Sequence, residues 1–502
     1  MAIPVPKSLR ARVIAASAAL AVVGGFTAFA MSQAASAAGS EQTYIVLYKQ
    51  GASTAEASQL VSSAGGSLVA NWSEIGVVVA RSTNSAFAQT VQADSQVEGA
   101  AATGGFATQI KLDDASGPLP GDSPAPDSEG DNLTGLQWDM AQIHAFEAHD
   151  ISGGSPSVVV GDVDTGLDFN HPDIAPNYDA ANSTDCSSGT PQPLLAGNDV
   201  NGHGTHTAGT IAAAANGTGI VGVAPNVKIA GIKSSNNAGF FFPEMVICSY
   251  MWVASHGIDI TNNSYFADPW LYNCKNDPVQ RAIWKAERRA IKHAQQGGTL
   301  VVASQGNNSS DLSHPTFDDV SPDFPPGSDQ EREITNACAV VPVEVPGVIG
   351  VTATGDKSLK SFYSDYGIST ADVAAPGGDS ILQITEAAPN GRVLSTYPPA
   401  AGCVRSVSDP VTGAKYCYLQ GTSMAGPHAV GVAALIQSHT GKTGGALGSA
   451  LRQATNPLPC PEDMSIYAPF TQLSGAPQSC QGDIDNNSFY GSGEIDALKA
   501  VS

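Results

Sequence analysis

A carboxylate, an imidazole and a hydroxyl, each set at a small-residue turn, are the side chains of this sequence equipped for covalent chemistry. Asp164 follows the apolar run 157–163 and precedes Thr165-Gly166. His203 stands in Gly202-His203-Gly204-Thr205-His206, opening an alanine-rich stretch, 203–215, that ends at Asn216-Gly217. Ser423 stands in Gly421-Thr422-Ser423-Met424-Ala425-Gly426-Pro427-His428, ahead of the apolar run 429–436. Singly, each has an ordinary explanation: an Asp before a turn, a surface His at a helix start, a Ser N-cap. Jointly, in the order Asp, His, Ser, they supply a nucleophile, its base and a group to orient the base. A serine in the first turn of a helix also sits among unpaired N–H groups and the positive dipole end, which favour developing negative charge.

His203 and His206 invite a metal reading, but the helical zinc signature sets its two histidines four apart with a glutamate between them. Ser304-Gln305-Gly306-Asn307 follows the apolar run 299–303 and offers a side-chain amide, with Asn308 as a competitor. Asp162 lies on the same face of its strand as Asp164 by two-residue alternation, with no role legible in the sequence.

The segments Asp164-Thr165-Gly166, His203-Gly204-Thr205-His206 and Gly421-Thr422-Ser423-Met424-Ala425 resemble the three signature segments of the subtilisin-like serine proteases, the subtilases (peptidase S8). The likeness extends over most of 132–502, including Gly222-Val223-Ala224-Pro225 and Tyr490-Gly491-Ser492-Gly493. It implies a serine endopeptidase that works through an acyl-enzyme, with Asp164, His203 and Ser423 as catalytic triad. Asn307, in the family's Gly-Asn position, becomes the oxyanion donor in preference to Asn308. Ser264 falls in the segment that lines the primary substrate pocket. There the family has Ser-Leu-Gly and this chain has Ser264-Tyr265-Phe266, so two aromatics leave the pocket size open. Residues 41–110 resemble the inhibitory, folding-assisting propeptide (inhibitor I9-like) of such enzymes, which implies a zymogen that cleaves itself within 104–131. The resemblance requires no cofactor for the chemistry. Structural calcium occurs in the family, but no ligand set here earns assignment. Asp483, Asp485, Asn487 and Glu494 match ligand positions of an EF-hand loop, yet Ser488 stands where that loop needs glycine.

The elements that must position these groups are legible more coarsely. Runs at 157–163, 227–232, 258–261, 299–303 and 348–352 are β-branched, and helical stretches at 203–215 and 278–296 lie between them. Val279, Ile283, Ala286, Ala290 and Ala294 repeat at helical spacing and predict a core-facing stripe. Such alternation predicts an α/β fold: a mostly parallel sheet flanked by helices on both faces, with sites at the carboxyl ends of the strands. A small α+β unit at 41–110 precedes it, with strands at 43–48 and 76–80 and a helix at 54–64. Residues 111–131, with Pro118, Pro120, Pro124, Pro126 and many acids, read as an exposed linker. The stretch 457–481 reads as a cysteine-stapled surface insertion in the 132–502 domain, ahead of a closing helix at 494–500.

The whole chain narrows the partners. Its 502 residues carry a formal charge of −23, with 14% charged and 42% hydrophobic residues. Such a surface repels phosphate backbones and anionic lipid, which argues against nucleic-acid and membrane-surface binding. Lys7, Arg10 and Arg12 before the apolar run 13–30, with Ala35-Ser36-Ala37 after it, predict a signal peptide over 1–38. No cationic flank follows that run to make it an anchor. The protein is therefore expected outside the cell, as a monomer acting on proteins and peptides, with its propeptide as intramolecular inhibitor. The 8 cysteines all lie beyond residue 185 and suit an oxidising exterior. Their connectivity is formally open, Cys403 with Cys417 and Cys460 with Cys480 being the sequence-near pairings. A binding protein retaining this fold without turnover would lack a triad or oxyanion residue, and none is missing.

Overall fold

The computed structural model describes residues 40–104, 130–328 and 330–502. The leader 1–38, and most of both the linker and the expected processing stretch, lie outside the described residues.

The five β-branched runs become the strands β5 (Val159–Asp164), β6 (Lys228–Lys233), β7 (Ile260–Asn263), β8 (Leu300–Ser304) and β9 (Ile349–Thr354), and a sixth strand that the sequence reading did not anticipate, β10 (Val373–Pro376), joins them. They pair in parallel in the order β10-β9-β8-β7-β5-β6. The short strands Thr184–Asp185, Glu494–Ile495 and Thr455–Asn456 extend the edges to a sheet of nine. The helices covering this sheet include α3 (His203–Ala212), α4 (Pro243–His256), α5 (Pro278–Gln296) and α6 (Thr422–Thr440).

Because successive strand residues point to opposite sides, the sheet feeds two cores. Val160, Leu300, Val302, Ile349 and Val351 pack with Ile211 of α3 and Val430 and Leu435 of α6. Val163, Val301 and Ala303 pack on the other side, with Tyr250 of α4 and Ala286 and Ile291 of α5. Asp164 shares the face of Val160, so the alternation aims its carboxylate at the α3 and α6 side. The chain runs from β5 to β6 on one flank and then continues from β7 on the other. That reversal opens a crevice at the carboxyl end of β5, where open α/β sheets bind ligands.

Helix ends follow their sequence signals. Asp277 caps α5 by accepting from the N–H groups of Val279 and Gln280, and Pro278 occupies the first position. Ile283, Ala286, Ala290 and Ala294 are buried as their spacing predicts, but Val279 is 51% exposed in the first turn, beside a surface cleft that also includes Trp270. The helix beginning at His203 stops at Ala212, and the closing stretch begins as the strand Glu494–Ile495 before the helix Ala497–Val501.

The segment before the large sheet forms a second sheet. Strands β1 (Gln42–Tyr48), β2 (Gly66–Trp72), β3 (Val77–Ser82) and β4 (Val97–Ala102) pair antiparallel in the order β2-β3-β1-β4. With α1 (Ala57–Ser63) and α2 (Phe87–Val91) this is a β-α-β-β-α-β arrangement. One face buries Tyr44, Val46, Val78 and Ala80 against Val61 and Phe87 of the two helices. The other buries Ile45, Leu47, Val77 and Val79 in the same cluster as Ala286 and Ala290 of α5. Arg289 of α5 donates to Tyr48 O at 2.8 Å and Ile75 O at 3.1 Å, and pairs with Glu98 at 3.0 Å.

Four disulfides join Cys186 to Cys248, Cys274 to Cys338, Cys403 to Cys417 and Cys460 to Cys480. The last staples the segment between the edge strands Thr455–Asn456 and Glu494–Ile495. Tyr467 of that segment is buried and donates to Lys360 O at 2.7 Å. Among the described residues no helix is long and apolar enough to cross a membrane.

Candidate active site

The carboxyl end of β5 delivers Asp164 to the first turn of α3. His203 Nδ1 lies 2.7 Å from Asp164 Oδ1, with both side chains buried. The turn before α3 is held by Asp199, which accepts from Gly202 N at 2.8 Å, Thr205 N at 3.0 Å and Thr205 Oγ1 at 2.7 Å. Thr165 ties the two motifs together: its hydroxyl donates to Asp199 at 3.0 Å and accepts from Gly204 N at 2.9 Å. The approach is close enough to demand glycine at 204, where a Cβ would stand 2.2 Å from Gly166 O. Asp199 escaped the sequence reading. An acid shortly before a helix start is the signal that would have found it.

Burial by itself lowers the pKa of His203, but the charge and hydrogen bond of Asp164, with Asp199 beyond, outweigh it and raise the value above 6.5. Nδ1–H donates to the carboxylate, so Nε2 of the neutral ring is a base, and it makes no hydrogen bond within the protein. His206 is placed otherwise. Its Nε2–H is donated to Cys417 O at 2.9 Å, and burial, helped by His203, pushes its pKa down to about 3. Turned into the protein with that proton engaged, it shares no ligand geometry with His203.

Ser423 is the second residue of α6, and its hydroxyl donates to Ser264 O at 3.2 Å. The Asp164–His203 link is therefore closed and the Ser423–His203 link open. A hydroxyl has one proton, and here the Ser264 carbonyl takes it. Rotation about χ1, a change among staggered wells, is the motion that redirects the hydroxyl. Ser264 Oγ in turn donates to Ser423 O at 3.1 Å.

Asn307 follows β8. Its Oδ1 accepts from both Thr422 N and Thr422 Oγ1 at 2.9 Å, which fixes the amide orientation and leaves Nδ2 as a donor. A Cβ built on Gly421 would stand 3.4 Å from Asn307 Nδ2 and 3.6 Å from Ser423 N. Two donors thus border one small space, which a side chain at 421 would fill. Asn308 donates its backbone N–H at 2.8 Å to the buried Asp365. Asp365 also accepts from Ser310 N at 2.7 Å, so one carboxyl shapes the whole turn that presents Asn307. Burial pushes its pKa up to about 7. An aspartate 58 positions from the residue it supports leaves no pattern in the sequence.

Beside Ser423 opens a cavity of 190 Å³ whose lining includes Tyr265, Phe266, Leu271, Val320, Val340 and Asp323. Tyr265 stacks on Phe241 at 4.4 Å between centroids and belongs to the core as much as to the cavity wall. At the far end of the chain Glu494 is buried, accepting from Gln142 at 2.6 Å and from Thr354 and Ser358, while Asp483 accepts from the N–H groups of Asp485 and Asn486. Among the described residues no group of three or more His, Cys, Asp or Glu side chains is gathered as a metal site.

Known proteins resemble this chain in sequence and in fold. A thermophilic serine proteinase from Bacillus sp. (strain AK1) is 27% identical over 64% of this chain and 63% of its own length. Fervidolysin from Fervidobacterium pennivorans is 29% identical over 61% of this chain, an alignment that spans only 38% of that relative. Subtilisin DY from Bacillus licheniformis is 30% identical over 56% of this chain and 77% of its own. The epidermin leader peptide processing serine protease from Staphylococcus aureus shares the fold, with a TM-score of 0.66 and 23% identity over 92% of this chain and 98% of that one. The family model for subtilases (Peptidase_S8) matches residues 155–455, which contain Asp164, His203, Asn307 and Ser423, and this chain belongs to the subtilase family.

Proposed function

We propose that this protein is a secreted serine endopeptidase made as a self-processing zymogen. The observation that supports this chemistry is the buried 2.7 Å carboxylate–imidazole pair, together with Asn307 Nδ2 and Ser423 N–H bordering one small space as donors. Ser423 Oγ attacks the peptide carbonyl carbon while His203 Nε2 takes its proton. Asp164 holds the ring and stabilises the imidazolium. The new tetrahedral oxyanion is bound by Asn307 Nδ2 and Ser423 N–H. When the C–N bond breaks, His203 returns the proton to the leaving amine, and water then hydrolyses the acyl-enzyme by the same route. Substrate binds extended along exposed strand edges, with one side chain in the cavity beside Ser423. No cofactor enters any step.

The zymogen reading is supported by the β1–β4 sheet, which packs on α5 ahead of an acidic, proline-rich linker. In this reading the N-terminal unit inhibits the catalytic domain until the linker is cut, the leader 1–38 directs export, and the mature enzyme is a monomer without nucleic-acid or membrane partners. Casein hydrolysis, abolished both by a serine-directed phosphonyl fluoride and by Ser423→Ala, is the expected result. A fully active alanine variant ends the assignment.

A further inference from the structure

Asp162 takes no part in these steps, yet it is a buried carboxyl two residues before Asp164 and on the same side of β5. Its Oδ1 accepts from Asn262 Nδ2 at 2.8 Å, and its Oδ2 meets Thr207 Oγ1 at 2.8 Å. Both partners belong to elements that carry the site. Thr207 lies in α3, one turn after His203, and its hydroxyl also reaches Gly204 O at 3.0 Å. Asn262 lies in β7 and donates to Ser264 Oγ at 3.3 Å, and Ser264 Oγ donates to Ser423 O. That carbonyl has no partner four residues on in α6, because Pro427 has no N–H. An unbroken run of hydrogen bonds therefore leads from the turn of His203 through Asp162 to the turn of Ser423.

Proton counting describes the state of the central carboxyl. Thr207 has one hydroxyl proton and two oxygen neighbours, and Gly204 O cannot donate. The one proton serves Asp162 Oδ2 or Gly204 O, and when it is donated to Gly204 O the contact to Asp162 is kept only with a proton on Oδ2. All the contacts are then satisfied at once: acid to hydroxyl, hydroxyl to carbonyl, amide to acid, amide to hydroxyl, hydroxyl to carbonyl. The charged groups facing Asp162 are Asp164 on its own strand and Asp199 before α3, and no lysine, arginine or histidine among the described residues hydrogen-bonds to it. Burial and these two acids raise its pKa well above the ordinary carboxylate value.

We propose that Asp162 is a positioning residue which, as an un-ionised acid, ties the helix of His203 to the turn of Ser423 through Thr207, Asn262 and Ser264. The inference rests on the endopeptidase reading above.

The test uses mature enzyme from the full chain, with sites counted by phosphonyl fluoride labelling of Ser423 and kcat and KM measured on a peptide from pH 5 to 10. Asp162→Ala and Thr207→Val each break the run, and kcat per labelled site is expected to fall about 10- to 100-fold at nearly constant KM. Asp162→Asn reproduces a neutral acid, accepting from Asn262 and donating to Thr207. It is expected to recover most of what Asp162→Ala loses, with the acid limb of the pH profile unmoved. Three results overturn the proposal: an asparagine variant as slow as the alanine variant, an acid limb lowered by about one unit as loss of a negative charge requires, or alanine and valine variants with full kcat. Should Asp162→Ala yield no labelled sites, Thr207→Val carries the comparison. A wild type that is not labelled at Ser423 sinks the endopeptidase reading itself, whereas a labelled wild type matched by its variants sinks only this one.

Discussion

Asn307 illustrates how one bond decides a residue's role. Thr422 claims its oxygen twice, so the nitrogen is presented at the space beside Gly421, where the proposed acyl transfer develops its charge. Asn307→Ala is expected to lower kcat by about 10² to 10³ with little change in KM, the range established for the corresponding donor in subtilisin itself. Steady-state kinetics on a chromogenic peptide checks this. His203 gives a second outcome at this scale. A general base must be neutral, and the folded pKa of this ring lies above 6.5. Activity therefore rises with pH through the raised value, placing the acid limb of kcat/KM above pH 6.5. Asp164→Asn removes the main raising influence, so its limb moves to lower pH while kcat falls by about 10⁴. A pH–rate profile of both forms reads the two effects separately.

Two elements owe their shape to contacts outside themselves. The turn after β8 is built on Asp365, which accepts from two backbone N–H groups. Asp365→Ala strands both and is expected to lower unfolding free energy by about 2–4 kcal/mol in urea titrations. The insertion between the last two edge strands is closed by Cys460–Cys480 across 20 residues. Replacing both cysteines by serine frees that loop in the unfolded state and is expected to remove about 3 kcal/mol. Near it Lys360 is wholly buried, its ammonium bonded to Ser361 O and Ser364 O and facing the rings of Tyr366, Tyr467 and Phe489 at 5.4, 5.3 and 5.1 Å. The tether of the insertion is thus partly covalent and partly the packing of aromatic rings around this lysine, whose pKa burial pushes down to about 7.

In the molecule as a whole, the N-terminal sheet lends one face to the core of α4 and α5, and Arg289 bolts the two together. In the zymogen reading, Arg289→Ala is expected to weaken inhibition of mature enzyme by the added N-terminal unit roughly 10- to 100-fold, the loss of charged hydrogen bonds. Progress curves at increasing inhibitor concentration measure it. Self-cleavage has a direct readout too. Ser423→Ala, expressed alone, should accumulate as the uncut chain by mass spectrometry, and a processed inactive variant rules out autoprocessing.

Sequence by itself determined what short-range chemistry encodes. Strand-to-turn Asp164 and helix-start His203 and Ser423 are each defined by a few neighbours, and the parallel layered sheet follows from alternating β-branched and helical runs. In the N-terminal unit β1, α1 and β3 were legible, but β2, β4 and α2 were not. Strand β2 fully buries only Ala70, and α2 has 5 residues, too few to show a period. Only tertiary structure decided that Tyr265 turns to Phe241, that Cys186 meets Cys248 across 62 positions, and that Asp365 supports Asn307. The same holds for Asp162, whose partners Thr207 and Asn262 come from another helix and another strand. The physical reason is common to all of them. A local pattern fixes a backbone's direction and which face a side chain takes, but a buried polar or aromatic group takes its meaning from whichever remote atoms fill its contacts once the layers close.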